Sequence, residues 1–305
     1  MPLYNLNPNP NASVHLVIDI GNTLCKAAIF NGDRLEELWT GTGADEQAID
    51  ALVSKYHPVA AMVSTVRRDD HIRPLTDDHD DRHMPQDPAP RQLAVKDDMP
   101  VPARLTWLKG YGFPVLVAGP HLQMPITIRY RTPETLGSDR LAAAVAAHHL
   151  FPKENVLVIN AGTCLTTDFV NDKGEYLGGT IAPGLQMRLQ ALHQFTGNLP
   201  LVNVPTETTN PRNVTTKTRI PKSPNFPTIP MPGQSTRDAI LAGVVHGLTS
   251  EINGMTERWK EKIRFFNVIL SGGDGKMFDK KLKNRIFAVE NIVLRGLNQM
   301  LKHNA

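Results

Sequence analysis

Cysteine is almost absent from this chain: 305 residues contain two, Cys25 and Cys164, and their spacing is unpaired. Neither a disulfide framework nor a structural zinc site is expected, and a reducing, cytoplasmic setting is. Long apolar runs are missing too. None approaches the ~20 residues of a membrane span. Met1 to Asn11 is polar and rich in Pro and Asn, with neither a basic n-region nor an apolar h-region, so no secretory leader is expected there. Neither sign of charge dominates: 33 Lys and Arg stand against 30 Asp and Glu, a formal +3. Aromatics make up only 6%, and no basic cluster interleaves with them, so a nucleic-acid partner is not expected. The densest basic stretch, Arg258 to Arg264 with Lys280 to Arg285 beyond it, is mixed with acids and reads as a solvated helix face.

What remains is an ordinary globular composition, 41% hydrophobic and 21% charged, long enough for two domains. Residues 1–13 read as a disordered tail. Val14–Ile20, Leu24–Phe30 and Arg34–Trp39 read as three sequential strands, with Asn31-Gly32 as the hairpin signal between the second and third. Asp45 to Tyr56 has helical spacing, and Val59–Val66 and Pro114–Ala118 are buried-type strands. Residues 67–102 are rich in Asp, His, Arg and Pro and read as an exposed insertion. His71, His79 and His83 within it fit no zinc spacing and read as solvated surface. A helix is expected to open at Pro133-Glu134 and run to about Leu150. After it come strand Glu175–Ile181, helix Leu185 to Phe195, a long loop over 203–235, helix Thr236 to Lys262 capped by Ser235 or Thr236, strand Val268–Leu270, then Ile292–Leu294 and a last helix.

The chain writes one motif twice. Leu16 to Lys26 and Leu157 to Thr167 each carry an apolar strand ending in Asp19 or Asn160, then a Gly (Gly21, Gly162), hydroxyl or amide residues, and a second apolar run. Two such hairpins suit a nucleoside triphosphate. Gly21 lets backbone approach a phosphate, Asn22 and Thr23 add neutral donors, and Lys26 adds positive charge. Asp19 suits Mg²⁺ rather than phosphate, although an Asx turn is an equal reading of Asp19 alone. Gly162-Thr163 repeats the arrangement, and Gly272-Gly273 supplies a third Gly-bearing strand end. Gly137-Ser138-Asp139-Arg140 stands at a helix opening. Asp139 there could take a proton from an attacking hydroxyl, and Arg140 could steady an anion. Taken alone, an Asp paired with its own neighbouring Arg is the simpler reading.

These residues resemble the type III pantothenate kinases from about Val14 onward. The resemblance rests on Asp19 to Thr23 with Lys26; Ser64-Thr65-Val66; Tyr130 with Gly137 to Arg140; Ala161-Gly162-Thr163 with Asp168; Gly178 to Gly184; Leu199-Pro200; Thr236 to Ile240 with Gly243; and Ser271-Gly272-Gly273. It implies an α/β chain of the actin/hexokinase/Hsp70-like (ASKHA) fold: two ribonuclease-H-like domains, here 14–131 and 132–305, with ATP in the interdomain cleft. It implies ATP-dependent phosphorylation of pantothenate to 4′-phosphopantothenate, the first step of coenzyme A synthesis, by a cytoplasmic homodimer using Mg²⁺ and a monovalent cation, K⁺ or NH₄⁺. Asp139 would be the catalytic base. ATP would meet Asp19, Gly21, Asn22, Thr23, Lys26, Gly162, Thr163, Gly272 and Gly273. Pantothenate would meet Tyr130, Gly137, Ser138, Arg140 and Thr236. Two other readings remain: an ATP-binding accessory protein without catalysis, and a kinase for another small hydroxyl compound.

Asn160 departs from the resemblance, because the family usually carries Asp there, whose carboxylate helps bind the monovalent cation. An amide oxygen can ligate K⁺ but brings no charge. Potassium activation is therefore expected to be weak or absent, and Asn160→Asp to restore it. Turnover measured against KCl checks this, and a saturating, low-millimolar rise in the unaltered protein sinks it.

Overall fold

In the computed structural model, β1 (Val14–Ile20) is apolar almost without alternation because both its faces are covered. The described residues are 13–65, 101–204, 229–282 and 286–305. The expected tail, apart from Ser13, most of the insertion, its three histidines and most of loop 203–235 lie outside them.

β1 pairs antiparallel with β2 (Cys25–Asn31), which pairs antiparallel with β3 (Arg34–Gly41). On its other side β1 pairs parallel with β4 (Ala60–Thr65), and β4 with β5 (Val115–Val117). The strand order is β3-β2-β1-β4-β5. Alternation then sorts the side chains into two cores. Leu16, Ile18, Ile20, Ala27, Ile29, Ala61 and Val63 pack with α1 (Glu46–Tyr56) and with Leu105 and Leu108 of the 3-10 segment Ala103–Tyr111. Val17, Ala28, Phe30, Ala60 and Met62 pack on the opposite face with α2 (Ser138–Leu150) and α6 (Ile292–Asn304). Asp45 caps α1, accepting from the Ala48 N–H at 3.2 Å.

The second sheet has the order β11-β10-β7-β8-β9-β6. Its strands are β6 (Thr127–Ile128), β7 (Val156–Ala161), β8 (Cys164–Val170), β9 (Glu175–Pro183), β10 (Asn267–Ser271) and β11 (Ile286–Ala288). Read from β9, it repeats the order of the first sheet: third, second and first strand of the hairpin unit, then two more. The motif written twice in the sequence is thus a sheet built twice, in a mixed α/β chain. Helices α3 (Leu185–Gln194), α4 (Thr236–Lys262) and the single turn α5 (Gly275–Phe278) complete the elements.

By compactness the chain forms two units. One comprises Met1–Val158, Asp168–Gly179 and Asn291–Ala305; the other comprises Ile159–Thr167 and Thr180–Glu290. This division is discontinuous along the chain. In the first unit α6 docks on α2 and on β1 and β4. The Ala-rich face of α2 makes this possible, and Gly296 of α6 lies so close that an added Cβ would fall 1.7 Å from the Ala142 carbonyl oxygen.

Two local expectations are corrected. Pro133–Thr135 is a separate 3-10 turn, and α2 begins only at Ser138. Leu136 buries its side chain in the core and keeps extended backbone between them. Ile292–Leu294 is the first turn of α6, not a strand, because an amphipathic stripe through Leu301 outweighs the β preference of an Ile-Val-Leu run. The strand that pairs with β10 is the short Ile286–Ala288, which carries too few residues to show alternation. Because α6 approaches α2 so closely, Gly296→Ala is expected to cost about 2 kcal/mol or more. A lowered urea midpoint checks it; an unchanged midpoint would show that the helices separate freely.

Candidate active site

Strand register places the first group of residues. Asp19 is opposite Lys26 on β2 and opposite Ser64 on β4. The turn after β1 closes when the Gly21 N–H donates to the Leu24 carbonyl at 2.9 Å, and a Cβ on Gly21 would sit 3.1 Å from that oxygen. Asn22 and Thr23 stand exposed at its tip. Asp19 Oδ1 is shielded from solvent and has no hydrogen-bond partner among the described residues. Burial pushes the Asp19 carboxyl up to about 6, and the nearby Asp139 adds to the rise; Ser64 and Lys26 oppose it. Lys26 Nζ donates to Asn291 Oδ1 at 3.1 Å.

Helix α2 begins beside this strand end. The Ser64 and Ser138 hydroxyls are 2.9 Å apart, and both residues are buried. Asp139 follows, its Oδ1 accepting the Arg140 backbone N–H at 2.9 Å. Burial again raises the carboxyl, against the pull of that N–H and of Arg140. A side chain at Gly137 would bring its Cβ to 2.5 Å from Asp139 Oδ1, so glycine keeps the space the carboxylate uses.

The Arg140 guanidinium does not pair with Asp139. Its Nε donates to Asp168 Oδ1 at 2.9 Å, and its Nη2 lies 2.8 Å from the same oxygen, close but poorly aligned. The Tyr176 hydroxyl also donates to that oxygen, at 2.7 Å. Asp168 is 0% exposed and its Oδ2 has no partner among the described residues. Burial raises Asp168 to about 6, with Arg140 and Tyr176 pulling it down; burial lowers Arg140, and the facing Asp168 carboxylate more than offsets that. The guanidinium also lies over the Tyr130 ring, 5.9 Å from its centroid, and Gly178 at φ 99° lets that ring pass close. One unit therefore gathers Asp19, Lys26, Tyr130, Gly137, Ser138, Asp139 and Arg140. Ser64, Asp168 and Tyr176 join them. Ser64 and Asp168 belong to the matched motifs, but their partners could not be read from sequence spacing.

The other unit holds the second turn. The Gly162 N–H donates to the Cys164 carbonyl at 3.0 Å, one residue shorter than the first turn. Gly184 donates to the Thr163 carbonyl at 3.0 Å, and a Cβ on it would sit 2.1 Å from the Gly162 oxygen. Gly272, at φ 94°, presses equally close to the Ala161 carbonyl. Gly162 and Gly273 differ: a Cβ on either meets nothing within 4 Å, so their backbone is bare without packing requiring it. Asn160 and Thr163 flank the first of these. Thr236 is the exposed first residue of α4, behind the Ser235 cap.

No cluster of three or more His, Cys, Asp or Glu gathers for a metal among the described residues. A lone shielded carboxylate oxygen such as Asp19 Oδ1 instead suits a cation that takes its other ligands from phosphate and water, the habit of Mg²⁺.

A family model described as type III pantothenate kinase matches residues 101–258. A type III pantothenate kinase of Bacteroides fragilis is 38% identical over 291 residues, covering 95% of this chain and 98% of that one. The Phocaeicola vulgatus protein of the same description is 35% identical, covering 95% and 99%. Among solved structures, an inorganic polyphosphate/ATP-glucomannokinase from Arthrobacter sp. strain KM overlies the fold with TM-score 0.43 at 14% identity, covering 95% of this chain and 99% of that one.

The raised carboxyl of Asp19 has a stability consequence. Its folded value, about 6, exceeds the ordinary 3.8, so the fold binds that proton more tightly than the unfolded chain does. The associated stability is complete below pH ~4 and is lost as pH rises through about 6. Asp19→Asn, which is always neutral, is therefore expected to be more stable than the parent at pH 7.5, by about 1–3 kcal/mol. The gain should vanish near pH 4. Thermal melts at both pH values check this; equal Tm at pH 7.5 would show that Asp19 is not strained by burial.

Proposed function

This chain belongs to the type III pantothenate kinases, and from that premise we propose how its own residues carry the reaction. The activity is ATP-dependent phosphorylation of pantothenate, the entry to coenzyme A biosynthesis. Asp139 is the base. Burial raises its carboxyl above the ordinary value, and it is not the ion-pair partner of the Arg140 guanidinium, so it can accept the proton of the pantothenate hydroxyl. The hydroxyl oxygen attacks the γ-phosphorus of ATP, the new P–O bond forms as the bond to the β-phosphate oxygen breaks, and ADP leaves. Lys26 faces the phosphates. Arg140, held by Asp168 and Tyr176 over Tyr130, meets the pantothenate carboxylate, with Gly137 and Ser138 beside it.

Asp19 would hold Mg²⁺, which supplies charge neutralisation across the transferring phosphates. Asn22 and Thr23 donate to phosphate oxygens at the turn tip. In the other unit Gly162, Thr163, Gly272 and Gly273 are nucleotide contacts, supported by the bare backbone at Gly162 and Gly273; Thr236 is a pantothenate contact and Asn160 a weakened monovalent-cation ligand. A cytoplasmic homodimer belongs to the same proposal. No described helix is long and apolar enough to cross a membrane.

The observation that carries the mechanism is the shielded, unpartnered oxygen of Asp19 next to a second burial-raised carboxylate that Arg140 leaves unpaired. Release of ADP by purified protein with ATP, Mg²⁺ and pantothenate tests it. Asp139→Asn is expected to lower kcat by ~10²–10⁴-fold with little change in ATP binding. An Asp139→Asn protein of full activity would remove Asp139 from the role of base.

A further inference from the structure

We propose that Asn291 is a positioning residue that holds Lys26 for ATP, which makes helix α6 a working part of the phosphate site. The inference rests on the reading of Lys26 as a phosphate-binding cation. Asn291 precedes α6, where an Asn side chain ordinarily caps the helix. Here it makes no capping hydrogen bond. Its Oδ1 accepts from Lys26 Nζ instead, at 3.1 Å and across 265 residues of sequence.

The backbone of Asn291 is left-handed, φ 55° and ψ 41°. Gly, Asn and Asp tolerate that conformation best. Holding a lysine ammonium requires an acceptor, which removes Gly. Leaving its charge available to phosphate requires that the acceptor be neutral, since a carboxylate would compete with the anion. Asn alone meets all three demands.

The support behind Asn291 is rigid. Gly296, little more than a turn further along α6, is pressed against Ala142 of the helix that carries Asp139. Asn298 bonds His15 on β1 at 3.0 Å and the Gly32 carbonyl at 2.7 Å, at the far end of the same hairpin. Gln299 and Lys302 both reach Asp33, at 2.6 and 2.8 Å. Helix α6 is therefore fixed to the hairpin that bears Lys26 and to the helix that bears the base. Asn291 transmits that fixed position to the ammonium.

The test is calorimetric affinity for a non-hydrolysable ATP analogue with Mg²⁺, alongside the KM for pantothenate. Asn291→Gly keeps the backbone and removes the acceptor. It is expected to weaken the analogue about tenfold, the scale of one hydrogen bond to a charged group, with the pantothenate KM unchanged. In a Lys26→Ala background the same substitution should add nothing. Asn291→Asp, which keeps backbone and acceptor but opposes the charge, should weaken the analogue as well. Wild-type affinity in Asn291→Gly, with Lys26→Ala weakened, overturns the inference alone, as do additive losses in the double variant. Wild-type affinity in Asn291→Asp overturns the need for neutrality. Unchanged affinity in Lys26→Ala overturns the phosphate role of Lys26 and this inference with it.

Discussion

A buried cation must be committed to one partner, and the commitment of Arg140 to Asp168 organises the site around it. Asp168 is fully enclosed, and two side chains converge on one of its oxygens. Such a pair gains little net stability, because desolvation consumes much of the attraction. What it fixes is direction. With the guanidinium turned to β8, Asp139 has no direct ion pair with its sequence neighbour, and the remaining pull of Arg140 is outweighed by burial. A carboxylate beside its own arginine would be a poor base at neutral pH; one deprived of it and partly buried is a better one.

The same scheme explains why three carboxyls here are raised while the fold still forms. Asp19, Asp139 and Asp168 all lie in the unit whose apolar layers, on both faces of the first sheet, supply the stability against which the strain is held. Substrate and metal would discharge that strain in part, so binding and stability should rise together.

Much of this was legible in the sequence, and the reason is local. Strands β1 to β3 follow from apolar runs with Asn31-Gly32 between the last two, and α4 from its periodicity and the Ser235 cap. The repeated hairpin pointed to one unit built twice, and the two sheets share the strand order of that unit. What stayed hidden depended on distance along the chain. Arg140 finds Asp168 28 residues away, and Lys26 finds Asn291 265 residues away. Neither pairing leaves a periodic signature. The start of α2 was misplaced for a related reason: Pro133 and Glu134 are sound helix openers, but burial of Leu136 decided the backbone there, and burial is a tertiary fact.

Residues 291–305 belong to the compact unit that the chain's opening residues begin, yet all of the other unit lies between them. During synthesis the first sheet, with α1 and α2, leaves the ribosome long before its covering helix exists. The face of β1, β2 and β4 that α6 will cover, with Val17, Ala28 and Met62 on it, must wait meanwhile with part of its apolar surface open. A nascent chain of this protein therefore lacks the α6 cover of that sheet face until residues 292–304 have been made. That unit cannot be completed until residues 291–305 have been made.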